Sequence, residues 1–166
     1  MLVKRRPARP TKKEHPTKTA LIATVVAMLE DTPVEEITCD AVLDASGISR
    51  GSLYYHFVDF GELVEHALVF RYARFVDRAI DKVGKQIAAA ASSEAFRAGL
   101  LDVLRDVDSV EHAELRFERA IPFAAAANSE RFRVNLGLEQ QRLTDAVTET
   151  LAEAQRRNWL SSSVDP

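Results

Sequence analysis

The sequence predicts an all-α fold, and three observations carry that expectation. Apolar residues recur at helical spacing from residue 17 to residue 159, and no stretch sustains the strict alternation of a strand. Glycine and proline number only six each, with four of the prolines before Val34, so little interrupts the helical segments. At 46% apolar and 28% charged, the chain has the balance of a protein that buries a core.

Residues 1–16 lack apolar periodicity and are expected to form a flexible basic arm. Between Lys4 and Lys18 there are seven basic residues and one acid, Glu14, which leaves 15 basic and 24 acidic residues elsewhere. The net charge of −3 therefore hides a basic end on an acidic body. Such an end suits a polyanion, and a solvated tail that keeps the protein soluble has the same composition. Lys4-Arg5-Arg6-Pro7 leads into more charge and not into the apolar run of a secretory signal. The longest apolar runs, such as "IPFAAAA" (121–127), are too short to cross a bilayer, so a cytoplasmic protein with no membrane partner is expected. The single cysteine, Cys39, excludes an internal disulfide and a cysteine metal cluster.

From Thr17, Leu21, Val25, Met28 and Leu29 form a helical stripe that Pro33 ends. Thr38 is the expected N-cap of a short second helix with Ala41, Val42 and Ala45 as its apolar positions, and Gly47 stops it. Ile48 follows as an apolar plug, and Ser49 caps a third helix running to Phe57. Asp59 caps a long fourth helix, from about Phe60 to Val83, carrying Leu63, Ala67, Phe70, Phe75, Val76, Ala79 and Val83. After the looser "IAAAASS" comes a pattern with Phe96, Leu100, Leu101, Leu104 and Val107. "HAELRFERAIPF" is expected to break at Pro122. A last helix, from Arg131 to Trp159, carries Val134, Leu138, Leu143, Val147 and Leu151.

Two short helices joined by a glycine-containing turn make a helix-turn-helix, whose second helix can enter the DNA major groove. On a helical wheel of about 100° per residue, Leu53 and Phe57 fall together as a core seam. Tyr55 lies nearly opposite, with Gly51 and Ser52 beside it, and Tyr54 and His56 flank it. An aromatic helix packed on a neighbour would also use a Tyr-Tyr-His run, but the wheel turns Tyr55 away from any core. Arg50, in the first turn, can pair bidentately with guanine O6 and N7. Gly51 would let the backbone approach base edges closely. Ser52, Tyr54, Tyr55 and His56 can donate to phosphate oxygens, and Thr38 is placed for a backbone phosphate.

The stretch "ITCDAVLDASGISRGSLYYHFVDFGELVEHAL" (37–68), with the preceding helix, resembles the DNA-binding region of the TetR family of transcriptional regulators. The likeness rests on a threonine before the second helix, Gly-Ile-Ser in the turn, a small-residue pair, and "LYYHF". It implies three DNA-binding helices over residues 17–62, followed over 63–166 by a helical effector-binding and dimerisation domain. Thr38, Arg50, Gly51, Ser52, Tyr54, Tyr55 and His56 occupy DNA-contact positions of the family. The chain departs from it at Phe60, where a phosphate-binding lysine is common, at Asp40, where a basic residue is common, and at Leu43, in place of alanine. Lys18, Lys12 and Lys13 are the cations expected to supply the missing phosphate contact. The chain stops at Pro166, about where two dimerisation helices would begin, so the last helices are expected to be lacking.

The resemblance thus implies a homodimeric repressor bound to a palindromic double-stranded DNA operator and released by an unidentified small-molecule effector. An apolar pocket among Phe96, Leu100, Phe117 and Phe123 is one place for that effector, and ordinary core packing explains the same residues. The alternative is a helical protein-interaction adaptor derived from such a regulator, without operator recognition. No enzyme activity, cofactor or metal is expected. The four histidines, His15, His56, His66 and His112, have no metal-ligand spacing on one helix, and the Glu62/His66 pair and Glu111, His112 and Glu114 fit solvated surfaces.

Overall fold

The structure, a computed structural model, describes residues 15–108 and 113–163, and side chains other than those of residues 106–119. Among the described residues there are seven α-helices, one 3-10 turn and no strand: α1 (Pro16–Met28), the turn (Val34–Glu36), α2 (Cys39–Ser46), α3 (Arg50–His56), α4 (Phe60–Ala89), α5 (Ser93–Asp108), α6 (Ala113–Ala126) and α7 (Glu130–Arg156). The protein is all-helical, with an N-terminal helix-turn-helix and a helical C-terminal part. The chain divides into two compact units, Met1–Ala67 and Leu68–Pro166, with the division inside α4.

In the first unit, α1 begins one residue earlier than its periodicity suggests. Pro16 takes the first helical position, where its missing N–H has no partner to lose, and His15 Nδ1 accepts from the Thr17 amide at 3.3 Å. Leu21, Ile22, Val25, Val26 and Leu29 are buried and Met28 is half-buried, so Ile22 and Val26 widen the expected stripe, as α1 packs on both α2 and α3. Each such fully buried side chain contributes about 1.5–3 kcal/mol of transfer free energy. The 3-10 turn after Pro33 has no periodic pattern to announce it and brings Ile37 into this core.

Local hydrogen bonds set the ends of the short helices. The Thr38 hydroxyl accepts from the Ala41 amide at 3.3 Å, and Gly47 adopts the left-handed conformation, φ 66°, that ends α2. Ser49 Oγ accepts from the Ser52 amide at 3.2 Å to start α3. Asp59 Oδ1 accepts from the Glu62 amide at 2.6 Å, while the Glu62 carboxylate reaches back to the Val58 amide, a reciprocal cap like the capping box. Val42, Leu53, Phe57, Leu63 and Ala67 complete the core. Ala45, expected on the apolar face of α2, is exposed, and Ile48 is half-buried.

In the second unit α4 continues past Val83 to Ala89, because Gln86, Ala88 and Ala89 are strong helix formers, and it ends within the alanine run, with Ala90 and Ala91 outside it. Pro122 does not break α6, which runs through it to Ala126. A proline inside a helix costs about 3 kcal/mol. Here Pro122 and Ala126, four apart, are both buried, and α6 packs on α7, so tertiary packing offsets the lost bond. Arg133 of α7 donates to the carbonyls of Ala126 and Ala127 at 3.2 and 2.9 Å and so closes the C-terminal end of α6.

The buried face of α7 also differs from expectation. Phe132, Leu136 and Ala154 are its buried positions, whereas Val134, Leu138 and Val147 are exposed. Two apolar stripes compete on this helix, and periodicity does not rank them; the larger Phe132 takes the inside. Arg142 bridges Glu139 on its own helix and Asp77 on α4, and hydrogen bonding to Asp77 raises its pKa further above its ordinary value. Tyr72, Val76 and Phe96 are buried as well, and the Phe96 ring stacks on Trp159 with centroids 5.9 Å apart.

Candidate nucleic-acid interface

α3 is anchored by two side chains and open on the rest of its surface. Leu53 is fully buried and Phe57 nearly so, which seats the helix on α1. Tyr55, on the opposite side, is 83% exposed, and Tyr54 is 48% exposed. Gly51 is exposed, and a Cβ built on it would meet nothing within 4 Å. The fold therefore does not require glycine at this position, although glycine inside a helix costs about 0.5–1 kcal/mol relative to alanine. Space that the protein itself leaves unused next to two exposed tyrosines is suited to a close approach by another molecule.

The hydroxyl groups around α3 already hold the helix ends, yet keep donors. Thr38 Oγ1 accepts from the Ala41 amide, so its own proton is left to donate. Ser49 Oγ and Ser52 Oγ lie 3.0 Å apart, one donating to the other. Ser52 is half-buried and Thr38 exposed.

Two clusters form beside these groups. In the first, the Arg50 guanidinium pairs through Nη2 with Asp40 Oδ1 on α2. Its pKa is raised chiefly by the Asp40 carboxylate, and the Cys39 thiol and the Tyr54 hydroxyl add to the effect. In the second, Lys18 Nζ lies 5.5 Å from the centre of the Phe57 ring, and the His56 ring packs against Tyr55 at 5.0 Å and against His15 at 4.6 Å. Thus Arg50 and Tyr54 meet, and His56 and Tyr55 meet. Lys12 and Lys13 lie outside the described residues.

Two features of the cluster escape a sequence reading. His15 had no role in the expected arm, although a residue directly before a proline at a helix start is a cap position. Asp40, noted only as an unusual acid, is the ion-pair partner of Arg50.

Three of the four residues considered for an effector pocket, all in the second unit, have described side chains. Phe96 is buried against Trp159, Leu100 is half-buried, and Phe123 is 40% exposed with its edge against Tyr72 at 5.4 Å. The Phe117 side chain lies outside the described side chains, as do Glu111, His112 and Glu114. His66 Nε2 is 3.9 Å from Glu62 Oε1 and stands edge-on to Phe57, a local pair within the first unit. Among the described residues no group of three or more His, Cys, Asp or Glu is placed to hold a metal ion, and no helix is long and apolar enough to cross a membrane.

No protein-family model matches the chain, and no curated protein matches it. Solved structures do. The suggested transcriptional regulator SCO7518 from Streptomyces coelicolor A3(2) superposes with a TM-score of 0.59 at 16% identity, over 81% of this chain and 75% of that one. The fatty acid degradation regulator FadR from Bacillus halodurans superposes with a TM-score of 0.55 at 16% identity, over 93% of this chain and 76% of that one. At such identity the likeness is one of fold.

Proposed function

We propose that this chain is a sequence-specific DNA-binding transcriptional regulator, acting as a homodimeric repressor on a palindromic operator. One observation carries the reading: α3 is held by Leu53 and Phe57 while Gly51, Tyr54 and Tyr55 stand open to solvent. In this reading α3 enters the major groove, Arg50 reads a guanine, and Thr38, Ser52, Tyr54, Tyr55, His56 and Lys18 fix register on phosphates. Lys12, Lys13 and the rest of the basic arm add attraction that is independent of sequence. The regulators named above share the fold, and their described role agrees with this reading.

The reading is tested by selecting operators from a random duplex library with the purified protein at moderate salt. Enrichment of a palindrome is the expected result, and binding with no preference over random DNA rejects the reading. Removing residues 1–13, which carry six basic residues, should weaken binding and flatten its salt dependence while operator preference stays.

The second unit is assigned the dimer contact and the effector. It exposes large apolar side chains, Leu138 at 62% and Leu104 at 55% among them, which suit a contact with a second copy. Sedimentation of the purified chain tests this, with a dimer expected. A strict monomer that does not retain DNA supports the adaptor reading, in which the same apolar residues meet another protein. The effector is proposed to be a small apolar molecule lodging near Phe96, Leu100, Phe117 or Phe123. It releases DNA only to the extent that it binds the DNA-incompetent state more tightly. Because Phe96 stacks on Trp159, the sole tryptophan, a ligand at Phe96 should change the intrinsic emission.

A further inference from the structure

We infer that Asp40 is a positioning residue for base recognition: it holds Arg50 ready for one guanine and keeps it from the phosphate backbone. The inference rests on the DNA-binding reading above and adds a specificity-determining residue to it.

Arg50 is the first residue of α3, a place where a cation gains nothing from the helix dipole. Its long side chain has many rotamers, and an unheld guanidinium at the edge of a groove would meet phosphate oxygens more often than a base edge. Asp40 removes that freedom. It lies in the first turn of α2, where the dipole favours an anion, and α2 is itself held by the Thr38 cap and by buried Val42. The ion pair links the two helices across the turn, ten residues apart in sequence. Arg50 and Asp40 keep 55% and 77% of their side-chain surfaces exposed, so the pair stands at the surface.

The geometry of the fork lets both partners be served. Asp40 Oδ1 takes one proton of Nη2. The Tyr54 hydroxyl accepts another guanidinium proton, and of the five N–H donors of an arginine enough remain for a bidentate contact with guanine O6 and N7. The charge balance points the same way. The pair is neutral as a unit, so it adds little to attraction for phosphate, and its contribution is restricted to fitting a base edge. The Tyr54 hydroxyl, near the same guanidinium, and the Cys39 thiol are the remaining titratable groups around it.

The test compares the wild-type chain with Asp40→Ala, Asp40→Glu, Arg50→Ala and the Asp40→Ala/Arg50→Ala double variant. Each is measured on the selected operator, on operators changed at single base pairs, and on random duplex DNA, over a range of salt. Asp40→Ala should lower the preference for guanine at one base pair about tenfold. It should also tighten binding to random DNA and steepen the salt dependence by about one phosphate, as the released arginine reaches the backbone. Asp40→Glu should restore most of the preference, and in the Arg50→Ala background removal of Asp40 should leave that base pair unaffected. Two outcomes overturn the inference: unchanged base preference in Asp40→Ala, or an equal loss with and without Arg50, which would mark Asp40 as a support of α2 alone. A wild-type chain with no sequence preference overturns the DNA-binding reading as well, so the two failures are told apart.

Discussion

The first unit and the second dispose of their surface residues differently. Among the described residues of the first, Val58 is the exposed large aliphatic side chain, and the exposed aromatics are Tyr54 and Tyr55, which carry hydroxyl groups. In the second, Phe70, Leu101, Leu104, Ile121, Phe123, Val134, Leu138 and Val147 are all substantially exposed. A helix surface of tyrosine, serine and glycine is stable in water and still offers donors to a polar partner. A surface of leucine, valine and phenylalanine is left in water at a cost that a second apolar surface would remove. The contrast agrees with the polar recognition proposed for the first unit and the apolar association proposed for the second.

Substitutions can sharpen or break this contrast. The largest effect is expected within α7 of the second unit, where Phe132→Ala should cost about 3–5 kcal/mol of stability in urea unfolding followed by Trp159 emission. Leu138→Ala on the same helix should stay within about 0.5 kcal/mol for the isolated chain, while weakening the dimer in sedimentation. Equal losses at the two positions would show that Leu138 is not the free apolar surface inferred here. In the first unit Leu53→Ala should cost about 2–5 kcal/mol, and Tyr55→Ala about 0.5 kcal/mol or less while reducing DNA affinity. Both are read by thermal melting beside a DNA titration.

Gly51→Ala is expected to separate stability from function. With nothing within 4 Å of the added Cβ, alanine should stabilise α3 by about 0.5–1 kcal/mol and yet weaken operator binding by crowding the groove. Undiminished binding would remove the close approach proposed at this position. The smallest effect is expected at Glu153, whose pKa is lowered by hydrogen bonds from Arg157 and Arg156. A carboxylate with a depressed folded pKa adds stability that is complete well above its ordinary pKa, near 4.5, and is lost as pH falls through the folded value. Glu153→Gln should therefore remove a small part of the acid sensitivity of the melting temperature and leave the plateau at neutral pH almost unchanged, because the group is on the surface.

How much of this was legible depends on the range of the interaction. Thr38, Gly47, Ser49 and Asp59 were readable as helix ends because a cap is a hydrogen bond within three residues, or a single backbone angle. The outward side of α3 was readable because Leu53 within the helix and Phe57 at its C-cap, four apart, admit one buried face. The inner face of α7 was not, because Phe132/Leu136 and Val134/Leu138 have the same spacing and only the neighbouring helices choose between them. Pro122 misled for a similar reason: the local rule was sound, and burial against α7 outweighed it.

Order along the chain was thus enough to specify helices, their caps and a third helix with a polar aromatic side, since each depends on residues within one or two turns of one another. Pairings between distant residues were left to the folded chain: Asp40 with Arg50, Arg142 with Asp77, Phe96 with Trp159. An ion pair or ring stack between helices depends on where two backbones come to rest, and that position is a sum over the whole core that no local pattern contains.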